Sequence, residues 1–170
     1  MKNEKPKIED VVCEVLSGDA QKNALDFISF LRENKLNPAW SAKNAWKVSS
    51  KTFSVCFIRL HGVAEYNNLG PGEWSMLPFI GEYDADALPD EDKEIAWANK
   101  NNCESCGQCA LRLNAIFGKK FRYSCECAIG FRNPDDKAVA CAKKIVMLRK
   151  NEIKQGLARK HQYVAIKDRV

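Results

Sequence analysis

Apolar residues recur at helical spacing near the start of the chain and again near its end. Residues 8–16 predict a short helix, and a second helix follows, which Asp19 would cap and Pro38 would end. The run Asn133-Pro134-Asp135-Asp136 is typical of a helix start, with Asn133 as the cap and the proline in the first position. The helix that begins there would run to about Gly156.

β-Branched and aromatic residues predict strands between these helices. Residues 45–48 and 52–60 would form a hairpin. The second of these strands would be central in its sheet and covered on both faces, because both of its alternating sets of side chains are largely apolar. Residues 74–80 alternate as a further strand, in which Pro78 indicates an edge or a bulge.

The remaining elements complete the predicted fold. A helix would run from Pro89 to about Lys100, with acidic residues in its first turn, and residues 121–131 predict another strand. This order of elements predicts an α+β fold, in which helices pack on a small, mostly antiparallel sheet. We expect a single domain over residues 1–156, followed by a basic tail over residues 157–170.

The charge of the chain is unevenly distributed. The formal net charge is +5, but residues 1–109 hold 12 basic and 17 acidic groups, whereas residues 110–170 hold 15 and 5. Residues 149–170 alone hold seven basic and two acidic groups, so a nucleic-acid partner would be expected there first. The alternative is an ordinary solvated helix face, formed by Lys143, Lys150 and Lys154.

The start of the chain and its thiols bear on the compartment. The first residues lack the hydrophobic region of a signal peptide, and no apolar run approaches the roughly 18 residues of a membrane-spanning helix. We therefore expect a cytoplasmic protein with no membrane partner. In a reducing cytosol, clustered thiols bind metal or carry out redox chemistry more often than they form disulfides.

Five of the eight cysteines lie between Cys103 and Cys127. Cys103 and Cys106 form a C-x-x-C-G motif, which allows two thiolates on a tight turn to face one ion, and Cys109 extends it to C-x-x-C-x-x-C. Cys125 and Cys127 stand two residues apart on a predicted strand and therefore share a face. We predict a metal site formed by Cys103, Cys106 and Cys125, with Cys109 or Cys127 as the fourth ligand.

Four thiolates in a tetrahedral set favour a structural zinc ion, with no open position for catalysis. An iron–sulfur cluster is the main alternative, but Leu113-Asn114 stands where a ferredoxin motif has its Cys-Pro. A redox-active C-x-x-C is a second alternative, although such motifs normally open a helix and this one would close a helix. The absence of any metal also stays open. Cys13, Cys56 and Cys141 lie on apolar patterns and are predicted to be small core residues.

Signals for catalysis are weak. His61 is interpreted as a loop residue rather than a base, and His161 as a solvated residue of the tail. The chain has no glycine-rich phosphate loop, nucleophile elbow or H-E-x-x-H motif. A small-molecule pocket is a further hypothesis, whose alternative is ordinary core packing. Its lining would be Trp40, Trp46, Phe57, Tyr66 and Trp74.

The segments NCESCGQC, IFGKKF and FRNPDDKAVACAKKIVMLRK, with VLSGDAQKNALDFISFLREN and KEIAWAN, resemble a family of small cytosolic bacterial proteins from anaerobic Firmicutes. The resemblance covers most of residues 10–155. It implies a stand-alone bacterial protein and assigns no activity. Because Cys109 matches a cysteine of that family and Cys127 does not, it implies Cys109 as the fourth ligand. The run Ala110-Leu111-Arg112-Leu113 departs from the family, where this stretch is small and polar.

Together these observations predict a non-enzymatic binding domain, stabilised by one zinc ion, for a small molecule or a protein. A thiol- or iron–sulfur-dependent redox protein and a nucleic-acid-binding accessory protein are the alternatives. The predicted zinc ligands are Cys103, Cys106, Cys109 and Cys125.

Overall fold

A computed structural model of the chain describes residues 5–61, 69–80, 87–100, 112–123 and 129–158. These residues form four helices and seven strands. The helices are α1 (Ile8–Val15), α2 (Gly18–Glu33), α3 (Asp90–Ala98) and α4 (Asp136–Gln155). The strands are β1 (Pro38–Ala42), β2 (Ala45–Ser50), β3 (Phe53–Leu60), β4 (Trp74–Pro78), β5 (Arg112–Ile116), β6 (Lys119–Tyr123) and β7 (Phe131–Arg132).

Five strands form one antiparallel sheet in the order β1-β2-β3-β4-β7, and β5 and β6 form a separate hairpin. The predicted α+β class and antiparallel sheet are therefore confirmed. The predicted hairpin is β2–β3, and β3 is the central strand, as expected. β7 pairs with β4 only at Ser75 and Met76, so β3 is the only described strand beside β4 at Pro78. Proline has no backbone N–H to donate, and at this position no hydrogen bond to a second strand is lost.

The helices pack against one face of this sheet. Side chains of residues paired across an antiparallel sheet point to the same face, so Trp46, Ile58 and Met76 share a face. They belong to one buried cluster with the apolar side of α4. α4 contacts β3, β4, α2 and α3, and α1 packs on α2. None of the helices among the described residues is both long and apolar enough to cross a membrane.

The starts of two helices differ from the predictions. α2 is preceded by Ser17 rather than capped by Asp19, which lies in its first turn. The cap of α4 is Asp135, whose carboxylate accepts a hydrogen bond from the amide of Ala138 at 2.8 Å. Asn133 is not the cap, because its side chain and backbone are bonded to Trp74 of β4. This contact with β4 keeps Asn133 outside α4.

The end of α2 and strands β1 and β5 were also not predicted. The strand predicted over residues 121–131 is not a single strand: of its described residues, 121–123 belong to β6 and Phe131 to β7, in different sheets. α2 ends at Glu33, before Pro38, and the amide of Leu36 donates to the carbonyl of Leu31, so the chain turns early. β1 then follows as an edge strand that is almost wholly exposed. The β5–β6 hairpin turns at Phe117-Gly118, where both residues have positive φ, as a type I′ turn requires.

Candidate metal centre and surrounding polar contacts

The cysteines of the predicted metal site lie outside the described residues, and so do Tyr66 and His161. Cys103, Cys106 and Cys109 lie in the segment over residues 101–111, and Cys125 and Cys127 lie in the segment over residues 124–128. Among the described residues, no group of three or more His, Cys, Asp or Glu side chains could hold a metal ion.

The residues that flank the two cysteine-bearing segments are paired with one another. Lys100 and Ile129 form an antiparallel bridge, and the amide of Gly130 donates to the carbonyl of Asn99 at 2.9 Å. At the other ends, Arg112 pairs with Tyr123 as the first pair of the β5–β6 hairpin. Residues 101–111 and residues 124–128 therefore connect the same two paired positions. Each cysteine of the predicted set except Cys106 lies two or three residues from one of these positions: Cys103, Cys109, Cys125 and Cys127.

Aromatic and ionic contacts join α3 to the β5–β6 hairpin beside these positions. The Nζ atoms of Lys100 and Lys119 lie 4.8 and 5.2 Å from the ring centroid of Trp97. Lys119 also forms an ion pair with Glu94 of α3 at 2.8 Å. Such contacts are individually weak at an exposed site, but here they fix the orientation of the hairpin that follows the cysteine segment.

Asp92 of α3 is a buried carboxylate whose partner comes from α4. Its Oδ2 atom lies 2.6 Å from Nζ of Lys144, and this hydrogen bond raises the pKa of Lys144. The thiol of Cys141 donates to the carbonyl of Asp92 at 3.4 Å, and burial raises its pKa to about 12. Cys141 is therefore a protonated core thiol. Cys56 is fully buried in the main core, so both residues lie in the core as predicted.

The prediction that Cys13 is a core residue is wrong. α1 buries Ile8, Val11 and Val12, and successive helix residues are rotated by about 100°, so the residue after Val12 turns outward. The Cys13 thiol is exposed.

A polar network at one end of the sheet was not predicted. The carboxylate of Glu73 accepts hydrogen bonds from Arg132, from the amide of Gly70 at 2.5 Å and from the side chain of Asn133 at 3.1 Å. The Arg132 guanidinium holds the pKa of Glu73 below its ordinary value. Glu73 and Arg132 are 59 residues apart, so no local pattern could have paired them. The network ties β4 to β7 and to the turn before β4.

His61 lies at the same end, immediately after β3. Its Nδ1 atom is 2.7 Å from the carbonyl oxygen of Leu69, and its amide donates to the carbonyl of Glu73 at 3.0 Å. These contacts join the described residues on either side of residues 62–68. They agree with the interpretation of His61 as a loop residue.

The aromatic residues of the hypothetical pocket occupy different parts of the fold. Trp46 and Trp74 are fully buried in the main core. Phe57 pairs with Leu77 on the opposite face of the sheet and packs on Phe79. Trp40 lies on the edge strand β1 and is 37% exposed. The described rings therefore support core and surface roles more than a shared cavity.

The basic residues of α4 are bonded to other parts of the fold. Lys143 forms an ion pair with Asp26 at 2.7 Å, and Lys150 donates to the carbonyl of Asn34 at the end of α2 at 2.7 Å. Arg149 is 3% exposed, pairs with the equally buried Glu152 and donates to the carbonyl of Ser54 at 3.4 Å. These side chains hold α4 against α2 and β3.

Comparisons with known proteins found no relative. No protein-family model matches the chain, and no match was found among curated proteins or among solved structures. The resemblance to the Firmicutes family therefore stays a prediction.

Proposed function

We propose that the chain is a non-enzymatic α+β binding domain in which one zinc ion holds the two cysteine-bearing segments together. The observation that supports this proposal is the pairing of the described residues at both ends of these segments, Lys100 with Ile129 and Arg112 with Tyr123. Because both segments connect the same paired positions, the described residues at their ends are held together at both sides. The proposed ligands are Cys103, Cys106, Cys109 and Cys125, with Cys127 as the alternative to Cys109.

The chemistry of the ligand set favours a structural role for the metal. Four thiolates around a zinc ion carry a net charge of about −2 and leave no open coordination position. Lys100, which forms the bridge at one end of these segments and lies three residues before Cys103 in the chain, would offset part of that charge. Zinc would stabilise the two cysteine-bearing segments, since binding free energy of this kind contributes directly to folding.

The contacts of the carboxylates favour binding over catalysis. Asp92 is engaged by Lys144, and Glu73 is engaged by Arg132 and Asn133, so both act as structural anchors. A general base needs a pKa near the operating pH, whereas the pKa of Glu73 is lowered further from neutrality.

Elemental analysis of protein purified under anaerobic conditions tests the proposal. We expect about one zinc per chain, a large loss of zinc in Cys103→Ser, and an unchanged content in Cys13→Ser, which removes an exposed thiol far from the ligand set in sequence. Less than about a tenth of an equivalent of zinc, with no iron, would contradict a metal-stabilised domain. Iron together with absorbance near ~400 nm would instead identify an iron–sulfur protein.

A further inference from the structure

Strands β1, β2 and β3 and their turns, residues 35–61, carry charges of one sign. We refer to these residues as the basic meander. No acidic residue occurs between Glu33 and Glu65. The basic residues in this interval are Lys35, Lys43, Lys47, Lys51 and Arg59. The basic meander thus has a charge of +5 within residues 1–109, whose net charge is negative.

The lysines of the basic meander differ from those of α4 in their partners. Among the residues that the structure describes, ion pairs engage Lys143, Lys144 and Arg149 of α4. No ion pair within the same described set includes a lysine of the basic meander. These lysines are Lys35, Lys43, Lys47 and Lys51, and all but the half-buried Lys47 are exposed.

Two of these lysines occupy backbone positions that do not favour a side chain. Lys35 and Lys51 have φ values of 57° and 53°, in the left-handed region where glycine or asparagine is usual. A residue held in this region costs stability and is often retained for function. Lys51 forms the turn between β2 and β3, so its ammonium group is presented at the tip of a hairpin.

Exposed or half-buried rings in this region are accompanied by cations. Lys47 and Arg59 lie 5.9 and 5.7 Å from the ring centroid of Phe57, and Lys5 lies 5.7 Å from that of Trp40. Lys47 is paired with Phe57 across β2 and β3, on the face of the sheet opposite the main core. Cations interleaved with aromatic rings are typical of surfaces that bind single-stranded nucleic acid, since rings stack on bases and cations neutralise phosphates.

The spacing of the lysines suits an extended polyanion. Lys43 precedes β2, Lys47 lies within it and Lys51 follows it. At about 3.3 Å per residue, β2 extends over roughly 20 Å, and Lys43 and Lys51 lie in the turns beyond its two ends. Single-strand-binding sites on small β-sheets typically accommodate about four nucleotides or more.

We propose that the basic meander binds single-stranded nucleic acid, with phosphates on Lys43, Lys47 and Lys51 and a base stacked at Phe57. This inference takes the binding role from the proposed function but does not require the zinc ion. A duplex would use the same lysines but could not stack a base on the ring, so single strands should bind more tightly.

Fluorescence anisotropy with labelled oligo(dT) and oligo(rU) of about 15 nucleotides tests the inference on the full-length chain. The combined variant Lys43→Gln, Lys47→Gln and Lys51→Gln should weaken binding by at least about tenfold and lower the salt slope by about two. The matched control Lys22→Gln, Lys137→Gln and Lys154→Gln removes the same charge from exposed helix positions and should bind as the parent chain does. Thermal unfolding of both variants separates lost binding from lost folding.

Three results would overturn the inference: no binding of either oligonucleotide at low salt, equal weakening by the two combined variants, or equal affinity for a duplex or for anionic lipid vesicles. Lys51→Gly adds an independent check, because it should weaken binding without destabilising the fold; unaltered binding would contradict a role for Lys51. Metal content is measured on the same preparation. If the preparation contained no zinc but bound the oligonucleotides as expected, the metal proposal would be refuted and the nucleic-acid inference would stand.

Discussion

α4 and the basic meander contain similar numbers of cations but use them differently. In α4, Lys143, Lys144 and Arg149 each bond a carboxylate of the fold, and Lys150 bonds the end of α2. In the basic meander, Lys35, Lys43, Lys47 and Lys51 form no ion pair with another described residue. A count of charges along the sequence does not show which of these cations the fold already engages.

The difference follows from the position of each region in the fold. α4 crosses the face of the sheet and is surrounded by α2 and α3, whose carboxylates Asp26 and Asp92 meet its lysines. The basic meander forms one end of the sheet order and has no acidic residue of its own. The exposed residues Lys35, Lys43 and Lys51 therefore face solvent or a ligand, whereas the ion-paired lysines of α4 stabilise packing.

The largest expected effect comes from the buried ion pair of α4. Arg149→Ala would leave Glu152 buried without its partner and should lower the free energy of unfolding by about 3–5 kcal/mol. Lys154→Ala, at an exposed position of the same helix, should change it by less than about 0.5 kcal/mol. Urea denaturation measures both. Equal effects of the two substitutions would remove the structural role assigned to α4.

A smaller effect is expected at the junction of α3 and α4. Lys144→Ala would leave the carboxylate of Asp92, which is 4% exposed, without its ammonium partner. The midpoint of thermal unfolding should fall by less than in Arg149→Ala, and Asp92→Asn should restore part of the loss in the double variant. If Lys47→Ala lowered the midpoint of thermal unfolding as much as Lys144→Ala, the lysines of the basic meander would stabilise the fold as those of α4 do, and the comparison would fail.

Alkaline pH should also destabilise this junction. The thiol of Cys141 has its pKa raised from 9.0 to about 12, and hydrogen bonding to Asp92 raises the pKa of Lys144. In both cases the folded state keeps its proton to a higher pH than the unfolded state does. The free energy of unfolding is therefore highest below the unfolded-state pKa values and falls as pH rises through the folded-state values. The free energy of unfolding should therefore decline between about pH 9 and 12, less steeply in Cys141→Ala. The same decline in that variant would show that the thiol is not responsible.

The smallest effect, with the opposite sign, is expected in the basic meander. Lys51→Gly should leave stability unchanged or raise it by up to about 1 kcal/mol, because glycine adopts positive φ without strain. Lys51→Ala retains a Cβ atom and should give no gain. A clear loss of stability in Lys51→Gly would show that the Lys51 side chain has a structural role, as the lysines of α4 do. The two regions would then not use their cations differently.

The elements that the sequence predicted are those with strong periodicity. Helices α1, α2 and α4 were found because their apolar residues repeat at helical spacing, and α3 because acidic residues follow Pro89 in its first turn. Strands β2 and β3 were found because their residues are β-branched or aromatic. β1 was missed because the sequence PAWSA has no alternating apolar pattern, as an exposed edge strand requires none. The predicted cap of α4 was displaced because Asn133 bonds to Trp74, a contact between residues 59 apart.

The polar contacts of the fold could not be predicted for the same reason. Lys143 meets Asp26 across 117 residues, and Lys144 meets Asp92 across 52. The surplus charge of residues 110–170 indicated a phosphate-binding tail, whereas the packing of α4 uses several of those cations internally. The predicted cysteine ligands stay a prediction, and only the pairing of their flanking residues bears on them.

Hydrogen exchange at the amide of Gly130, measured with zinc bound and after its removal by a chelator, tests the zinc-stabilised domain most directly. This amide bonds to the carbonyl of Asn99 beside the Lys100–Ile129 bridge, where the two cysteine segments meet the rest of the fold. If zinc holds those segments, its removal should speed exchange at Gly130 by at least about tenfold, with little change in the amides of β2 and β3. Equal exchange with and without the metal would contradict the proposal.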